Sequence, residues 1–308
     1  GQTQRSYLRL GFGFSRSRNG AVQMFSASCL PAVTGAWQYP GGGALYAHGG
    51  LYGIDKTLIE GLDLCDPRTR ILDQSRIGPI LTDDPQDLGD GPPVTALFIQ
   101  NTNPMNVAPE LGKVREGFQR EDLFVSVHEQ FLTETAEMAD IVLPATTFLE
   151  HDDFYVAGGH THLQVTRAVI EPVGQARSNH AVICALAARL GAKHPGFEMD
   201  AWTLMDETLK LSGYADAETI WGGHWDDRAL SFEKSHFLDG FGCADGKFQF
   251  SPDWSKIGGN HQGMPKLPDH DTVIDEPDSD HPFRLVTAPS RNYLNTSFTE
   301  TASSRLRE

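Results

Sequence analysis

Between residues 94 and 143, three short apolar runs alternate with two helix-length stretches, and this alternation limits the fold more than any other feature of the chain. The runs are Val94-Thr95-Ala96-Leu97-Phe98-Ile99, Asp122-Leu123-Phe124-Val125-Ser126-Val127 and Ile141-Val142-Leu143. The first has the unbroken apolar character of a parallel strand buried on both faces. Residues 109–120 are expected to be helical, with Pro109 at a tolerated first-turn position. Residues 133–139 fit a shorter helix, in which Thr133 is the N-cap and Glu134 complements the dipole. Strand and helix alternating at these lengths require right-handed parallel crossovers. The fold class is therefore α/β, a Rossmann-like parallel sheet with flanking helices.

A chain of 308 residues is long enough for two or three such units. Residues 1–50 are glycine-rich and hold an expected buried helix over 21–33 that ends before Gly41-Gly42-Gly43. Residues 51–93, with the acidic loop Asp83-Asp84-Pro85-Gln86-Asp87, read as a surface excursion. The Rossmann-like unit then extends over 94–195, closing on a helix at 179–190 stopped by Gly191. Residues 196–264 read as a second helix, at 201–211, followed by short strands and turns. An acidic linker with four prolines covers 265–282, and a new strand is expected from Phe283 to open the last segment, 283–308.

Acidic residues outnumber basic ones 41 to 25, for a formal net charge of -16. That field repels nucleic acid and anionic membrane surfaces, so neither is an expected partner. No apolar run has the length of a bilayer span, and no signal peptide opens the sequence. The four cysteines, Cys29, Cys65, Cys184 and Cys243, have no short spacing, which argues against a disulfide framework, a zinc ribbon or an iron–sulfur cluster in this stretch. A reducing, cytoplasmic location fits them. Both ends of the sequence read as cuts.

In an open α/β sheet, ligands bind beyond the carboxyl ends of the strands, close to helix N-termini. Those ends carry Gln100-Asn101-Thr102-Asn103-Pro104, His128-Glu129-Gln130 and Pro144-Ala145-Thr146-Thr147. Amides and hydroxyls there suit a phosphate or ribose, Glu129 stands where an acid accepts from a ribose or base edge, and Thr133 and Thr135 open a helix. Each loop is equally readable as a polar cap on a sheet. The stretch Gly11-Phe12-Gly13-Phe14-Ser15-Arg16 lacks the third glycine of a dinucleotide fingerprint and follows no clear strand. Glu150, His151, Asp152, Asp153, His160 and His162 have a spacing that suits a divalent cation, although a solvated polar loop is the simpler reading. No serine or cysteine nucleophile is apparent.

One segment is far more specific. Phe131-Leu132-Thr133-Glu134-Thr135-Ala136-Glu137-Met138-Ala139-Asp140-Ile141-Val142-Leu143-Pro144-Ala145 resembles the signature F-x-T-E-T-A-x-x-A-D-I-V-L-P-A of the molybdopterin oxidoreductase family. Five further segments resemble that family in the same order: the run from Asn19-Gly20 through Leu30 to Gly43, the Asn101–Pro104 loop, Glu171 to Asn179, Asp245 to Phe250, and Leu285 to Asn295.

The resemblance implies a molybdopterin guanine dinucleotide with molybdenum or tungsten, held between Rossmann-like domains and a C-terminal β-barrel that would start within 283–308. By position, Asn101, Asn103, Pro104, Glu129, Thr133, Thr135 and Asp140 would approach one guanosine diphosphate arm. Arg16, Asn19, His160, Gln164, Thr287, Arg291 and Asn295 would approach the pterins or the metal. The family's metal-ligating residue and its iron–sulfur cysteines would lie before Gly1, so no metal ligand and no catalytic residue is assigned to this stretch. It would line the substrate funnel, and would be inactive alone. Implied partners are a small substrate, the rest of the polypeptide and an electron-transfer subunit.

The sequence departs from the family at Glu129, where aspartate is usual, at Gln175, where glutamate is common, and across residues 156–164. Substrate identity therefore does not carry over. Two other readings stand beside this one. One is a molybdenum-free structural relative, like the large iron–sulfur subunit of NADH-quinone oxidoreductase. The other is a divalent-metal hydrolase using His151, Asp152, His160 and His162.

Overall fold

A computed structural model describes residues 2–14, 19–61, 63–256, 264–269, 276–285, 290–297 and 301–306. The chain runs β1 (Tyr7–Arg9), α1 (Gly20–Val33), β2 (Gly43–Leu45), α2 (Thr57–Glu60), α3 (Ile77–Leu81), α4 (Pro85–Leu88), β3 (Ala96–Gln100), α5 (Pro104–Val107) and α6 (Leu111–Phe118). It continues through β4 (Phe124–Glu129), β5 (Ile141–Pro144), β6 (Asp153–Tyr155), β7 (His162–Thr166), α7 (Asn179–Leu190), α8 (Pro195–Glu198), α9 (Ala201–Leu211), α10 (Ala217–Gly223) and β8 (Asp226–Asp227). These elements divide into two compact units. The first holds residues 1–53, 156–163 and 226–286, and the second holds 54–155, 164–225 and 287–308.

The second unit contains the expected parallel sheet, in the order β3-β4-β5. Phe98 pairs with Ser126 and Ser126 with Ile141, so the three strands lie level. One face of the sheet forms a dry core. Ile99, Val125 and Val127 pack there against Leu81 of α3, Met105 of α5, Val114 and Phe118 of α6, and Ala136. Period-2 side-chain alternation along the strands is what sorts these residues to one side.

Helices α3 and α6 meet across two glycines. A Cβ on Gly117 would stand 2.4 Å from the Leu81 Cβ, and one on Gly78 would stand 3.0 Å from the Val114 amide nitrogen. This seam corrects the reading of 51–93 as a surface excursion: Ile80 and Leu81 are 4% and 1% exposed, and Leu81 belongs to the core. The Gly78-Pro79 punctuation looks like a turn in sequence, but Pro79 falls in the first turn of α3, where no helical N–H is lost.

Other elements match expectation to different degrees. Helices α7 and α9 have the anticipated bounds, with Ser178 and Asp200 as side-chain N-caps and Gly191 in the left-handed conformation after α7. The helix expected over 133–139 shrinks to a single 3-10 turn, Ala136–Met138, although Thr133 Oγ1 still accepts the Ala136 N–H at 3.2 Å. The antiparallel pair β6–β7 completes the strands of this unit, with Phe154 opposite Val165.

In the first unit, β1 and β2 pair in parallel, and β8 pairs with His162 and Leu163 at the start of β7. Helix α1 buries Val22 and Cys29 but leaves Leu30 and Val33 at 52% and 70% exposure, so only part of it is the buried helix anticipated. Residues 226–256 contribute the two-residue strand β8 and otherwise turns and short helices. Phe283 and Leu285 are 90% and 85% exposed and form no strand. Within 290–297 the one bridge joins Leu294 to Ser297, so the described residues contain no barrel strand. No described helix is long and apolar enough to cross a membrane.

Candidate functional site

Because the three parallel strands lie level, their polar ends converge. Gln100 and Asn101 after β3, Gln130 after β4, and Ala145 and Thr146 after β5 line one side of a cavity of ≈ 510 Å³. The remaining walls come from Leu58 and Ile59 of α2, Asp153 and Tyr155 of β6, the first turn of α7, and Leu204, Met205 and Thr208 of α9. All of these residues lie in the second unit.

The strand-end side is held by a relay of hydrogen bonds. Gln100 Nε2 donates to His128 Nδ1 at 2.9 Å, and His128 Nε2 donates to the Arg177 carbonyl at 3.1 Å. His128 is wholly buried, and these contacts fix its tautomer. Asn101 adopts φ 57°, a left-handed conformation that asparagine tolerates better than most residues, and that turns the chain sharply at the cavity mouth. Gln130 Nε2 donates to the Thr146 carbonyl at 2.9 Å.

On the β6 side, two carboxyls three residues apart have opposite environments. Glu150 is 6% exposed, and its carboxylate receives the Thr147 N–H at 2.6 Å together with the Val173 N–H and the Thr147 hydroxyl. Those donors, the Thr147 amide foremost, hold its carboxyl below the usual range. Asp153, by contrast, is pushed up, chiefly by burial. Its Oδ2 lies 3.8 Å from His151 Nε2, while His151 Nδ1 is 2.7 Å from Thr146 Oγ1.

The N-terminus of α7 also faces the cavity through Ser178, Asn179 and His180. A helix of this length presents unsatisfied N–H groups and the positive end of its dipole. No lysine or arginine lines the cavity, so that helix end is the local attraction for an anion. Behind the wall, the hydroxyls of Tyr155 and Thr208 are closed off from solvent and make no well-formed hydrogen bond, with Asp153 and Thr166 beside that of Tyr155.

Of the residues singled out in the sequence, Asn101 lines this cavity. Asn103 and Thr135 sit just behind the strand ends. The Thr135 hydroxyl donates to Asn103 Oδ1 at 2.7 Å and accepts the Met105 N–H at 3.1 Å, while Asn103 Nδ2 donates to Glu134 at 2.8 Å. Pro104 is buried at the start of α5, and Glu129 Oε1 accepts the Gln130 N–H at 2.7 Å. Thr133 caps the 3-10 turn. Asp140 stands at the opposite, amino end of the strands, where Oδ2 accepts the Val125 N–H at 2.7 Å. That contact helps to fix strand register.

The others lie elsewhere. Asn19 is buried ahead of α1 and its Oδ1 accepts from Gln23 at 2.8 Å. In the same unit, His160 stacks on His162 with centroids 5.3 Å apart, and its carbonyl receives the Tyr52 hydroxyl at 2.7 Å. Gln164 is exposed on β7, and Arg291 and Asn295 are exposed. Arg16 and Thr287 lie outside the described residues. No group of three histidine, cysteine or acidic side chains among the described residues is arranged to hold a metal ion. The hydrolase reading therefore finds no such group to support it among the described residues.

The sequence reading missed the far wall. Thr208 and Tyr155 gave one signal only: a polar residue on the apolar stripe Leu204, Met205, Thr208 of α9, and an aromatic beside an acidic cluster.

Part of this unit is similar to known proteins. The family model described as Molybdopterin oxidoreductase matches residues 86–189, which include β3, β4, β5 and the α7 N-terminus. Probable oxidoreductase YoaE of Bacillus subtilis is 36% identical over 97% of this chain and 43% of its own length. Probable oxidoreductase YyaE of the same organism is 28% identical over 59% of this chain and 26% of its own length. Biotin sulfoxide reductase of Cereibacter sphaeroides is 28% identical over 61% of this chain and 26% of its own length. The chain thus spans less than half the length of each of these relatives.

Proposed function

The chain belongs to the molybdopterin oxidoreductase family, and from that premise we propose that its strand-end cavity receives the guanosine end of a molybdopterin guanine dinucleotide within a longer molybdenum or tungsten oxidoreductase. One observation carries this reading: a cavity of this size opens at the carboxyl ends of three parallel strands, lined there by Gln100, Asn101, Gln130 and Thr146. A cavity of ≈ 510 Å³ suits a nucleoside, and its mixed lining suits an aromatic base with a polar edge and a ribose. When bound, the cofactor supplies the two-electron redox chemistry.

The chain's own residues have narrower tasks. Asn101, Gln130 and Thr146 present amide and hydroxyl groups at the strand ends, and the first turn of α7 presents its N–H groups to a phosphate. The pair Asp153–His151 offers a carboxyl and an imidazole at one edge of the cavity. Leu58, Phe148, Phe197 and Met205 exclude water from it, which strengthens each polar contact. The substrate is a small molecule reached through other parts of the protein, and the 308 residues alone have no turnover.

The test uses the complete native protein. Molybdenum and tungsten are measured per chain, with guanine released by acid hydrolysis, for the wild type and for Asn101→Ala and Gln130→Ala, both at the strand ends. One metal with guanine in the wild type, and less guanine retained by the variants, is expected. Metal and guanine both absent from matured protein would overturn the reading and leave the fold as a scaffold, like the large iron–sulfur subunit of NADH-quinone oxidoreductase. Full guanine retention in both variants would move the nucleotide out of this cavity.

A further inference from the structure

The two sides of the cavity are fastened differently. The strand-end side belongs to the packed parallel sheet. The far side is made by Asp153 and Tyr155 of β6 and by Leu204, Met205 and Thr208 of α9. Behind that wall the Tyr155 and Thr208 hydroxyls make no well-formed hydrogen bond. These two polar groups do not bind α9 to the strand pair, so the hold on the helix has to come from another contact.

Arg167, the residue after β7, makes such a contact. Its guanidinium carbon stands 3.4 Å from the centroid of the Trp202 ring, in the first turn of α9, and 5.5 Å from that of Trp221, on α10. Arg167 Nη2 also donates to Glu218 Oε2 at 2.7 Å, and Glu218 lies one turn before Trp221 on α10. One planar cation is thus held by three side chains from two helices. The helices are tied to each other, since Asp206 Oδ1 of α9 accepts the Ala217 N–H of α10 at 2.8 Å. On the strand side, Asp153 of β6 pairs with Thr166, the neighbour of Arg167 in the chain. The Arg167 side chain is 40% exposed and that of Glu218 is 62%, so the ion pair by itself contributes little. Stacking on the ring faces adds about 2–5-fold per ring to an equilibrium constant at an exposed site. Such a hold is strong enough to seat a helix and weak enough to lose without unfolding the sheet.

We infer that Arg167 is a positioning residue for the cavity: stacked on Trp202 and Trp221, it seats α9 and α10 on the β6–β7 pair and so sets how closely the far wall grips a ligand. The planar shape of the guanidinium matters as much as its charge, because it lies against a ring face. The seating of α9 stands on these contacts alone. The loss of guanine expected when the hold is broken rests on the nucleotide reading of the cavity.

Amide hydrogen exchange of the complete native protein, read by mass spectrometry, tests the hold directly, with guanine per chain measured after gel filtration of the same samples. In Arg167→Gln and Trp202→Leu, exchange across α9 should rise on the order of tenfold while α6 in the core is unchanged, and guanine should fall. Trp202→Phe keeps a ring face under the guanidinium and should stay close to the wild type in both readings. Unchanged exchange of α9 in Arg167→Gln would overturn the inference. Equal behaviour of Trp202→Leu and Trp202→Phe would also overturn it, because apolar bulk and not the cation would then seat the helix. A loosened α9 with guanine fully retained would reduce Arg167 to a purely structural contact and end its positioning role. Wild-type protein without guanine would remove the nucleotide reading instead, and the exchange rates would still decide for or against the hold on α9.

Discussion

The two ends of the β3–β5 sheet are built on different rules. Its core side is apolar, close-packed and closed by a glycine seam so tight that a single Cβ on Gly117 would collide with Leu81. Its carboxyl rim is polar, holds a left-handed asparagine, and opens into the cavity. Rules of stability are met in the first region and broken in the second, and breaches of that kind gather where a protein meets a ligand. The contrast separates residues that hold the unit together from residues that wait for something to bind.

Substitutions can sharpen or break that contrast. Phe118→Ala, in the core, should have the largest effect, destabilising the unit by about 3–5 kcal/mol in a denaturant titration. A loss much below that would mean the core side is less tightly packed than the seam implies. Thr135→Val lies between the two regions. It strips the Met105 N–H and Asn103 Oδ1 of a buried partner and should cost about 1–3 kcal/mol, with Thr135→Ser recovering most of the loss. On the far wall the effect should shrink and change sign. Tyr155→Phe removes a buried hydroxyl that makes no well-formed hydrogen bond, so stability of the ligand-free chain should hold or rise by up to about 1 kcal/mol. A clear loss of stability there would show that the hydroxyl is satisfied within the protein.

The smallest effects are those of pH, and two neighbouring carboxyls should respond in opposite directions. Glu150 is held below its ordinary range by donated N–H groups, so its contribution is present above that range and is lost as pH falls through its lowered value. Glu150→Gln should therefore destabilise at neutral pH and converge with the wild type in acid. Asp153 is raised by burial, so the folded state holds its proton more tightly than the unfolded chain. Its effect is unfavourable above the raised value and vanishes below the ordinary one, and Asp153→Asn should stabilise at neutral pH. Thermal melts of the two variants across pH 3–8 read both signs.

How far the sequence predicted these two regions follows from the range of the forces involved. The strands and the bounds of α7 and α9 are local matters: an apolar run, an N-cap serine or aspartate, a glycine after the last turn. The strand-end loops were legible too, since strand direction alone puts Gln100, Asn101, Gln130 and Thr146 at one rim. The far wall was not. Thr208 and Tyr155 reach the cavity through packing of α9 and β6, which no local pattern encodes. Reading 51–93 as a surface excursion failed at Ile77–Leu81 for the same reason: what makes that stretch a buried helix is the close approach of α6. Asp140 shows a further task that the sequence did not reveal, since its carboxylate clamps strand register.

The glycine seam also sets how this unit can change over generations. Because the Gly78 position is limited by the Val114 amide and the Gly117 position by the Leu81 Cβ, neither contact is relieved by rotating a long side chain. A library randomised at both sites should return glycine at each almost without exception, whereas the cavity rim, limited by chemistry more than by space, should return many sequences until binding is made a condition of survival.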